Sequence, residues 1–147
     1  MILIQNAKVL MQCTVEKIEK LNGDLLVFLT VDDFDEDVNK DITAVHDVSA
    51  GGLAVALSEM VIKSGLGCEV TLTDDELDKI QLLYSESHGR YLLTVKADAL
   101  EDILAKIDVD VEVIGEVKGT SLNVNDHEFS WEDLNNAYYG VIEKYMA

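Results

Sequence analysis

The sequence predicts an α/β (α+β) domain with a mixed β-sheet and helices packed on one face of it. Strand-like and helix-like segments alternate after Thr43, which is the pattern of a layered sheet-and-helix domain. The chain has 147 residues and 48% of them are hydrophobic, enough to form one core. It contains no proline, so element boundaries are inferred from glycine, Asn/Asp and helix-capping residues.

An N-terminal segment rich in β-forming residues precedes this alternation. Residues 7–15 and 25–31 are predicted strands, and Asn22-Gly23 between them resembles a turn. The intervening Glu16–Lys20 stretch is alternatively a helical turn. We therefore divide the chain into a β-rich N-terminal segment of unassigned role and a C-terminal α/β domain, with the bounds 1–41 and 42–147.

The C-terminal domain begins with a predicted strand over Thr43–Val48 and a helix from about Gly51 to Lys63. Ser49 is the predicted cap of this helix, and Ser64-Gly65 ends it. The core face follows helical spacing and comprises Leu53, Leu57, Met60 and Val61. The strand is predicted to be central in the sheet.

Three further helices are predicted from their N-terminal signals. Two capping boxes, Thr73–Glu76 and Asp98–Glu101, open helices that reach about Tyr84 and Ile107, and Ser130 caps a last helix. The predicted strands between them are Cys68–Leu72, Tyr91–Val95, Val111–Val117 and Ser121–Val124, with a turn at Asn125-Asp126. The inner stripe of the last helix is Trp131, Leu134, Tyr138, Val141 and Tyr145.

The charge and composition exclude several classes of protein. With 11 basic and 29 acidic side chains, the net charge of −18 repels phosphate backbones, so nucleic acid is not an expected partner. No apolar run reaches the ~18 residues of a membrane helix, and no signal peptide is expected at the start. Cys13 and Cys68 are expected to be reduced thiols, so we predict a cytoplasmic protein.

The segment His46-Asp47-Val48-Ser49-Ala50-Gly51-Gly52 combines a strand end, a tight turn and a helix start. Paired glycines let the backbone approach a phosphate closely, and Asp47 at the strand end can hold a cation. Alternatively, the glycines form a packing turn and Asp47 caps the helix. The residues alone leave both interpretations open.

A second polar segment joins a predicted helix to the strand Tyr91–Val95. It carries the carboxylate of Glu86, the hydroxyl of Ser87 and the guanidinium of Arg90, groups that can bind a sugar or a phosphate. The alternative is a capped turn with an internal Glu86–Arg90 ion pair.

Together the two segments resemble the last domain of the large subunit of phosphoribosylformylglycinamidine synthase. The string His-Asp-Val-Ser-x-Gly-Gly-Leu-Ala-Val-Ala-Leu-x-Glu-Met at residues 46–60 is specific, and Glu86-Ser87-His88-Gly89-Arg90 follows at the family's spacing. Val113–Val117 and Ser130–Leu134 look like the family's late strand and closing helix. The resemblance covers about residues 42–145 and implies the C-terminal domain type of the aminoimidazole ribonucleotide synthetase superfamily.

The resemblance implies an enzyme that converts formylglycinamide ribonucleotide, glutamine and ATP to the amidine, ADP, phosphate and glutamate. ATP and Mg²⁺ would be its cofactors, and the remaining synthase domains and a glutaminase subunit its partners. The candidates for binding the cofactor are Asp47, Ser49, Gly51 and Gly52, and Asp47 is also the candidate metal ligand. The candidates on the substrate side are Glu86, Ser87 and Arg90. No catalytic residue and no tightly bound cofactor are expected in this chain alone.

One departure indicates which half of the large subunit is matched. The first C-terminal domain of this family carries Glu-Ser-Gln, whereas this chain has Glu86-Ser87-His88, which points to the second, pseudo-equivalent domain. Two alternatives stay open: a domain of a selenophosphate or thiamine-phosphate enzyme of the same superfamily, or a non-catalytic acidic interaction module.

Overall fold

A computed structural model describes residues 2–5, 15–21, 24–29, 41–72, 79–87, 89–105 and 110–146. Its helices are α1 (Gly52–Ser64), α2 (Lys79–Tyr84), α3 (Leu100–Leu104) and α4 (Trp131–Met146), and a 3₁₀ helix spans Ala97–Ala99. Its strands are β1 (Ile2–Gln5), β2 (Val15–Leu21), β3 (Asp24–Leu29), β4 (Ile42–Asp47), β5 (Cys68–Val70), β6 (Tyr91–Val95), β7 (Asp110–Val113), β8 (Gly115–Val117), β9 (Leu122–Val124) and β10 (His127–Phe129).

The first sheet is four-stranded and antiparallel, in the order β4-β6-β1-β7. The strand β1 lies in its interior, where Ile2 pairs with both Leu93 and Val113. The strand β4 was predicted to be central, and that prediction is wrong, because β4 lies at the edge of this sheet. An N-terminal strand occupies the interior position, and strand order of this kind cannot be obtained from hydrophobic spacing.

The second sheet is mixed, in the order β10-β9-β5-β8. Strand β5 pairs parallel with β9 and antiparallel with β8, which confirms the predicted mixed α/β class. The predicted single strand Val111–Val117 is wrong: it is two strands in different sheets, separated by the buried Ile114. Gly115 begins the second of these strands, and it approaches the carbonyl oxygen of Glu69 so closely that a Cβ would collide with it. Only glycine therefore fits where the chain enters the second sheet.

Helix α1 joins the two sheets through one core. Leu53 and Leu57 are 0% exposed, and Val61 is buried beside them, so the predicted face is confirmed. Met60, also predicted, is partly buried against this core. The cluster includes Leu92 from the first sheet and Val70, Ile114, Leu122 and Val124 from or beside the second.

The end of α1 matches its prediction and the start does not. Gly65 ends the helix in the left-handed conformation, with φ 70°, and its N–H donates to the carbonyl oxygen of Val61. At the start, the N-cap residue is Gly51, which has no side chain with which to cap the helix. The predicted Ser49 cap is therefore wrong; Ser49 instead accepts a hydrogen bond from Gly52 N–H through its backbone carbonyl, at 2.9 Å.

The other predicted helix starts had mixed outcomes. The Asp98–Glu101 box is wrong, because a 3₁₀ helix leads into α3 and neither element has a side-chain cap. The Ser130 cap is confirmed: its hydroxyl oxygen accepts the Asp133 N–H at 3.1 Å. The box at 73–76 lies outside the described residues.

Three local features complete the comparison. The strand β2 covers the possible helical turn at Glu16–Lys20, so that alternative is wrong, and β2 and β3 form an antiparallel pair. The predicted strand 7–15 lies mostly outside the described residues. Sequence reasoning missed β10, which pairs with β9 after a turn at Asn125, a residue with φ 52°.

Two properties of the described residues relate to the predictions of a reduced Cys68 and of no membrane helix. Cys68 is a free, buried cysteine, and burial raises the pKa of its thiol to about 11, so it stays protonated near neutral pH. None of the described helices is both long and apolar enough to cross a membrane.

Candidate functional site

The turn between β4 and α1 holds four of the predicted site residues. Asp47 ends β4 with its side chain 65% exposed, and Ser49 is also exposed. Gly51 and Gly52 have φ values of 81° and 67°, a backbone conformation that L side chains rarely adopt. A Cβ on Gly52 would lie 2.6 Å from the Leu83 carbonyl oxygen and 2.8 Å from that of Ser85, so the turn packs directly on the end of α2.

Glu86 brings the two recognised motifs together. Its Oε1 accepts a hydrogen bond from the Gly51 N–H at 2.8 Å, although the residues are 35 positions apart. The carboxylate therefore lies at the positive end of the α1 dipole and binds an N–H that has no partner within the helix. Ser87 is exposed beside it, and His88 lies outside the described residues.

Arg90 lies beneath this loop. It is 5% exposed, and its Nη1 donates to the carbonyl and hydroxyl oxygens of Ser85 at 2.9 and 2.8 Å. Nη2 donates to the Leu82 carbonyl at 3.3 Å, while the buried Nε has no partner among the described residues. Burial lowers the pKa of this guanidinium below its ordinary value. These contacts tie Arg90 to the C-terminal end of α2.

The alternative interpretation of this loop, an internal Glu86–Arg90 pair, is wrong. Among the described residues, Glu86 binds Gly51 and Arg90 binds Ser85 and Leu82. The backbone of Arg90 also accepts the Val48 N–H at 2.9 Å. Both side chains therefore fix the position of the glycine turn relative to α2 and β6.

Sequence reasoning missed a second cluster, centred on Glu59. Its Oε2 lies 2.8 Å from His46 Nε2 and 3.5 Å from Lys63 Nζ, and its Oε1 accepts the Tyr138 hydroxyl at 2.8 Å. Burial raises the pKa of Glu59, but hydrogen bonds from Tyr138 and His46, with the charge of Lys63, outweigh it and hold the pKa below its ordinary value. The carboxylate thus stays ionised and joins β4, α1 and α4.

His46 connects this cluster to the site. Its Nδ1 lies 2.6 Å from the carbonyl oxygen of Asp47, and its Nε2 faces the Glu59 carboxylate. Each ring nitrogen of His46 therefore faces an oxygen atom of the cluster or of the turn. A sequence signal for Glu59 does exist: it is the one acidic residue on a stripe of α1 that also carries Val55 and Ile62 at helical spacing.

The described residues supply few ligands for a metal. No group of three or more His, Cys, Asp or Glu side chains in the described ranges is arranged to hold one. The exposed Asp47 carboxylate is suited to be one ligand of an ion shared with other protein groups, since Mg²⁺ prefers carboxylate oxygens. The described residues alone therefore do not form a complete metal site.

Comparison with known proteins identifies the domain. The family model of the AIR synthase related protein, C-terminal domain, matches residues 23–126. The chain belongs to this family. The resemblance predicted from residues 46–60 and 86–90 is thereby confirmed.

Relatives of this AIR-synthase-related domain are large proteins. The chain is 57% identical over 133 residues to the phosphoribosylformylglycinamidine synthase subunit PurL of Methanobrevibacter smithii, covering 88% of this chain and 18% of that protein. T. maritima PurL complexed with ATP matches with 28% identity and a TM-score of 0.53, covering 65% of this chain and 19% of that chain. The PurLQS structure from Thermotoga maritima contains a chain that matches with 26% identity and a TM-score of 0.56, over the same shares. The chain thus spans less than a fifth of each of these three relatives.

Proposed function

We propose that this chain acts as the second AIR-synthase-related C-terminal domain of a PurL-type synthase. The identity of 57% to Methanobrevibacter smithii PurL over 88% of the chain carries this proposal. It favours the synthase over the selenophosphate and thiamine-phosphate enzymes and over a non-catalytic acidic module. The Gly51–Glu86 contact supports it, because it joins the two motifs on which the resemblance depends.

The proposed reaction of the whole enzyme forms an amidine from an amide. ATP phosphorylates the amide oxygen of formylglycinamide ribonucleotide, giving ADP, and ammonia then displaces phosphate at the same carbon. The ammonia is released from glutamine by a glutaminase subunit, which leaves glutamate. We place this enzyme in the cytoplasm, with the other synthase domains and the glutaminase subunit as partners.

Within that enzyme the chain's own residues mainly hold a surface in place. Glu86 and Arg90 fix the turn at Gly51 and Gly52 against α2, and Asp47 and Ser49 project from it. We propose that this turn faces a neighbouring domain, where Asp47 is one ligand of a Mg²⁺–ATP site. Mg²⁺ supplies charge neutralisation for the phosphates when it is bound. ATP binding is proposed because T. maritima PurL was solved in complex with ATP.

The division at residues 41 and 42 is kept as a proposal with one refinement. The N-terminal segment supplies β1 to the first sheet, and the family match begins at residue 23. We therefore propose that residues 1–41 work as part of the same structural unit as residues 42–147.

A chimera tests the function. This chain replaces the matching region of Methanobrevibacter smithii PurL, and amidine formation is measured with ATP, Mg²⁺, ammonium and formylglycinamide ribonucleotide. We expect activity close to that of the parent enzyme. Glu86→Ala should reduce it, because the turn loses its carboxylate anchor, whereas Glu128→Ala, which removes an exposed carboxylate on β10, is the matched control. A folded chimera without activity would contradict the proposed function.

A further inference from the structure

The first half of the apolar stripe of the last helix, α4, contacts α1 and the core. Trp131 Nε1 donates to the Ile62 carbonyl oxygen at 3.2 Å, Leu134 packs against the core, and the Tyr138 hydroxyl donates to Glu59 at 2.8 Å. These three contacts hold the helix on α1. Of these three residues, only Leu134 packs against the core as predicted, because Trp131 and Tyr138 stay exposed.

The second half of the same stripe is uncovered. Val141 and Tyr145 follow Tyr138 at spacings of three and seven residues, which places all three on one face. Their exposures are 54% and 82%, and Met146 next to them is 82% exposed. The prediction that this stripe is core along its whole length is therefore wrong for the isolated chain. We call Val141, Tyr145 and Met146 the distal stripe.

The direction of α4 brings the distal stripe toward the candidate site. Trp131 contacts Ile62 and Tyr138 contacts Glu59, so α4 advances along α1 from its C-terminal end toward its N-terminal end. One turn before Glu59 on the same face lies Val55, which is 38% exposed and borders Gly51. The uncovered half of α4 therefore points to the end of α1 that carries the glycine turn.

We propose that the distal stripe is the docking surface for the remainder of the PurL-type synthase. This inference rests on the proposed function. It assigns the surface through which the domain binds the rest of the enzyme. Contiguous exposed apolar side chains with tyrosine are typical of interaction sites. The chain accounts for 18% of its Methanobrevibacter smithii relative, so most of the protein that could cover this stripe lies outside the matched region.

The charge of the chain decides against a second copy as the occupant. Each copy has a net charge of −18, so two copies repel each other when they approach. The first turn of α4 carries Glu132 and Asp133, which adds negative charge on the helix itself. The matching partner is an apolar patch on the synthase bordered by lysine and arginine side chains.

Hydroxyl-radical labelling read by mass spectrometry tests this in the chimera with Methanobrevibacter smithii PurL. Tyr145 and Met146 are the probes, because both side chains are highly exposed in the chain alone. We expect their labelling to be several-fold slower in the chimera than in the isolated chain. Equal rates in the two proteins would overturn the proposal.

Substitutions identify the stripe as the contact. Val141→Asp and Tyr145→Asp should restore fast labelling of Met146 in the chimera, and Asn136→Asp, on the opposite face of α4, should not. All three positions are exposed in the isolated chain, so its thermal unfolding should change little. Slow labelling that survives both stripe substitutions would overturn the proposal.

Two further results separate this inference from the proposed function. An active chimera in which the distal stripe is labelled as fast as in the isolated chain would support the proposed function and contradict the docking surface. Slow labelling of the distal stripe in an inactive chimera would support the docking surface and contradict the proposed function. Sedimentation of the isolated chain as a dimer that Tyr145→Asp dissociates would overturn the choice of occupant in favour of a second copy.

Discussion

Leu57 is a test of the packing on which the whole site depends. Its side chain is completely buried in the core cluster that contains residues of both sheets, so Leu57→Ala removes apolar contacts and leaves a cavity. We expect the free energy of unfolding to fall by about 2–5 kcal/mol. Denaturant unfolding measures this, with Val117→Ala, at a position 45% exposed, as the control. A Leu57 effect no larger than the control would mean that α1 packs in a different phase.

Glu59 gives a prediction about pH. Its pKa is lowered in the folded chain, so its ionised form stabilises the fold above the unfolded-state pKa, and this stabilisation is lost as the pH falls through the folded-state pKa. The difference in Tm between the wild type and Glu59→Gln should therefore be larger at neutral pH than in acid. Thermal unfolding from neutral to acidic pH measures it.

The partners of Glu59 provide the control for this prediction. Tyr138→Phe removes the hydroxyl that donates to Glu59 and should reduce the pH-dependent difference. Tyr139→Phe removes the hydroxyl of the neighbouring ring, which stacks edge-on against Tyr138 at 4.8 Å, and should leave the difference in place. A constant Tm difference at every pH would contradict the prediction.

At the scale of single residues, the sequence predicted apolar burial better than polar contacts. Leu53 and Leu57 follow from helical spacing alone. Glu59 was part of the recognised string, but its partner Tyr138 is 79 residues away, and nothing in local spacing pairs them. For the same reason the contact of Glu86 with Gly51 was not predicted, even though both residues were selected as candidates.

Alanine substitutions at the two glycines at the ends of α1 distinguish the cost of backbone strain from the cost of a steric collision. Gly52 and Gly65 have similar φ values of 67° and 70°, but a Cβ on Gly52 meets backbone oxygens at 2.6 and 2.8 Å, whereas Gly65 has open space. Gly65→Ala should therefore lose only about 1–2 kcal/mol for the left-handed conformation. Gly52→Ala should lose clearly more, because α2 must also move. Equal losses in denaturant unfolding would show that the turn does not pack on α2.

At the scale of elements, type was predicted more reliably than boundaries and pairing. Tyr91–Val95 was placed correctly because its β-forming residues are bounded by polar ones. Val111–Val117 was not, because the valines at 111, 113 and 117 keep a strand-like period of two across the change of sheet at Ile114. The cap of α1 was assigned to Ser49 by residue type, but in the fold the first N–H is bound by Glu86 from a distant loop.

At the scale of the whole molecule, the family followed from the motifs, and the sheet order did not. The string at residues 46–60 is specific enough to indicate the AIR-synthase-related domain, which the family match confirms. The placement of β1 between β6 and β7 depends on pairing of Ile2 with Leu93 and with Val113, far along the chain, which periodicity does not encode. The exposure of Val141 and Tyr145 likewise does not follow from their spacing, which is that of an inward-facing stripe.

We expect the isolated chain to have no synthase activity. The reaction needs ATP, Mg²⁺ and a ribonucleotide held together in one geometry. Among the described candidates, Gly51 N–H is bound by Glu86 and the Arg90 guanidinium by Ser85 and Leu82, which leaves Asp47 as one exposed carboxylate. The net charge of −18 further opposes binding of a polyanion.

The measurement is incubation of the purified chain with ATP, Mg²⁺, ammonium and formylglycinamide ribonucleotide, following ADP and amidine. The chimera with Methanobrevibacter smithii PurL, assayed in parallel, is the positive control for the reagents. We expect the isolated chain to match the blank without enzyme, because one carboxylate cannot align a γ-phosphate with an amide oxygen. Turnover that survives repurification and is abolished by Asp47→Ala would contradict this, and would place a complete site within these 147 residues.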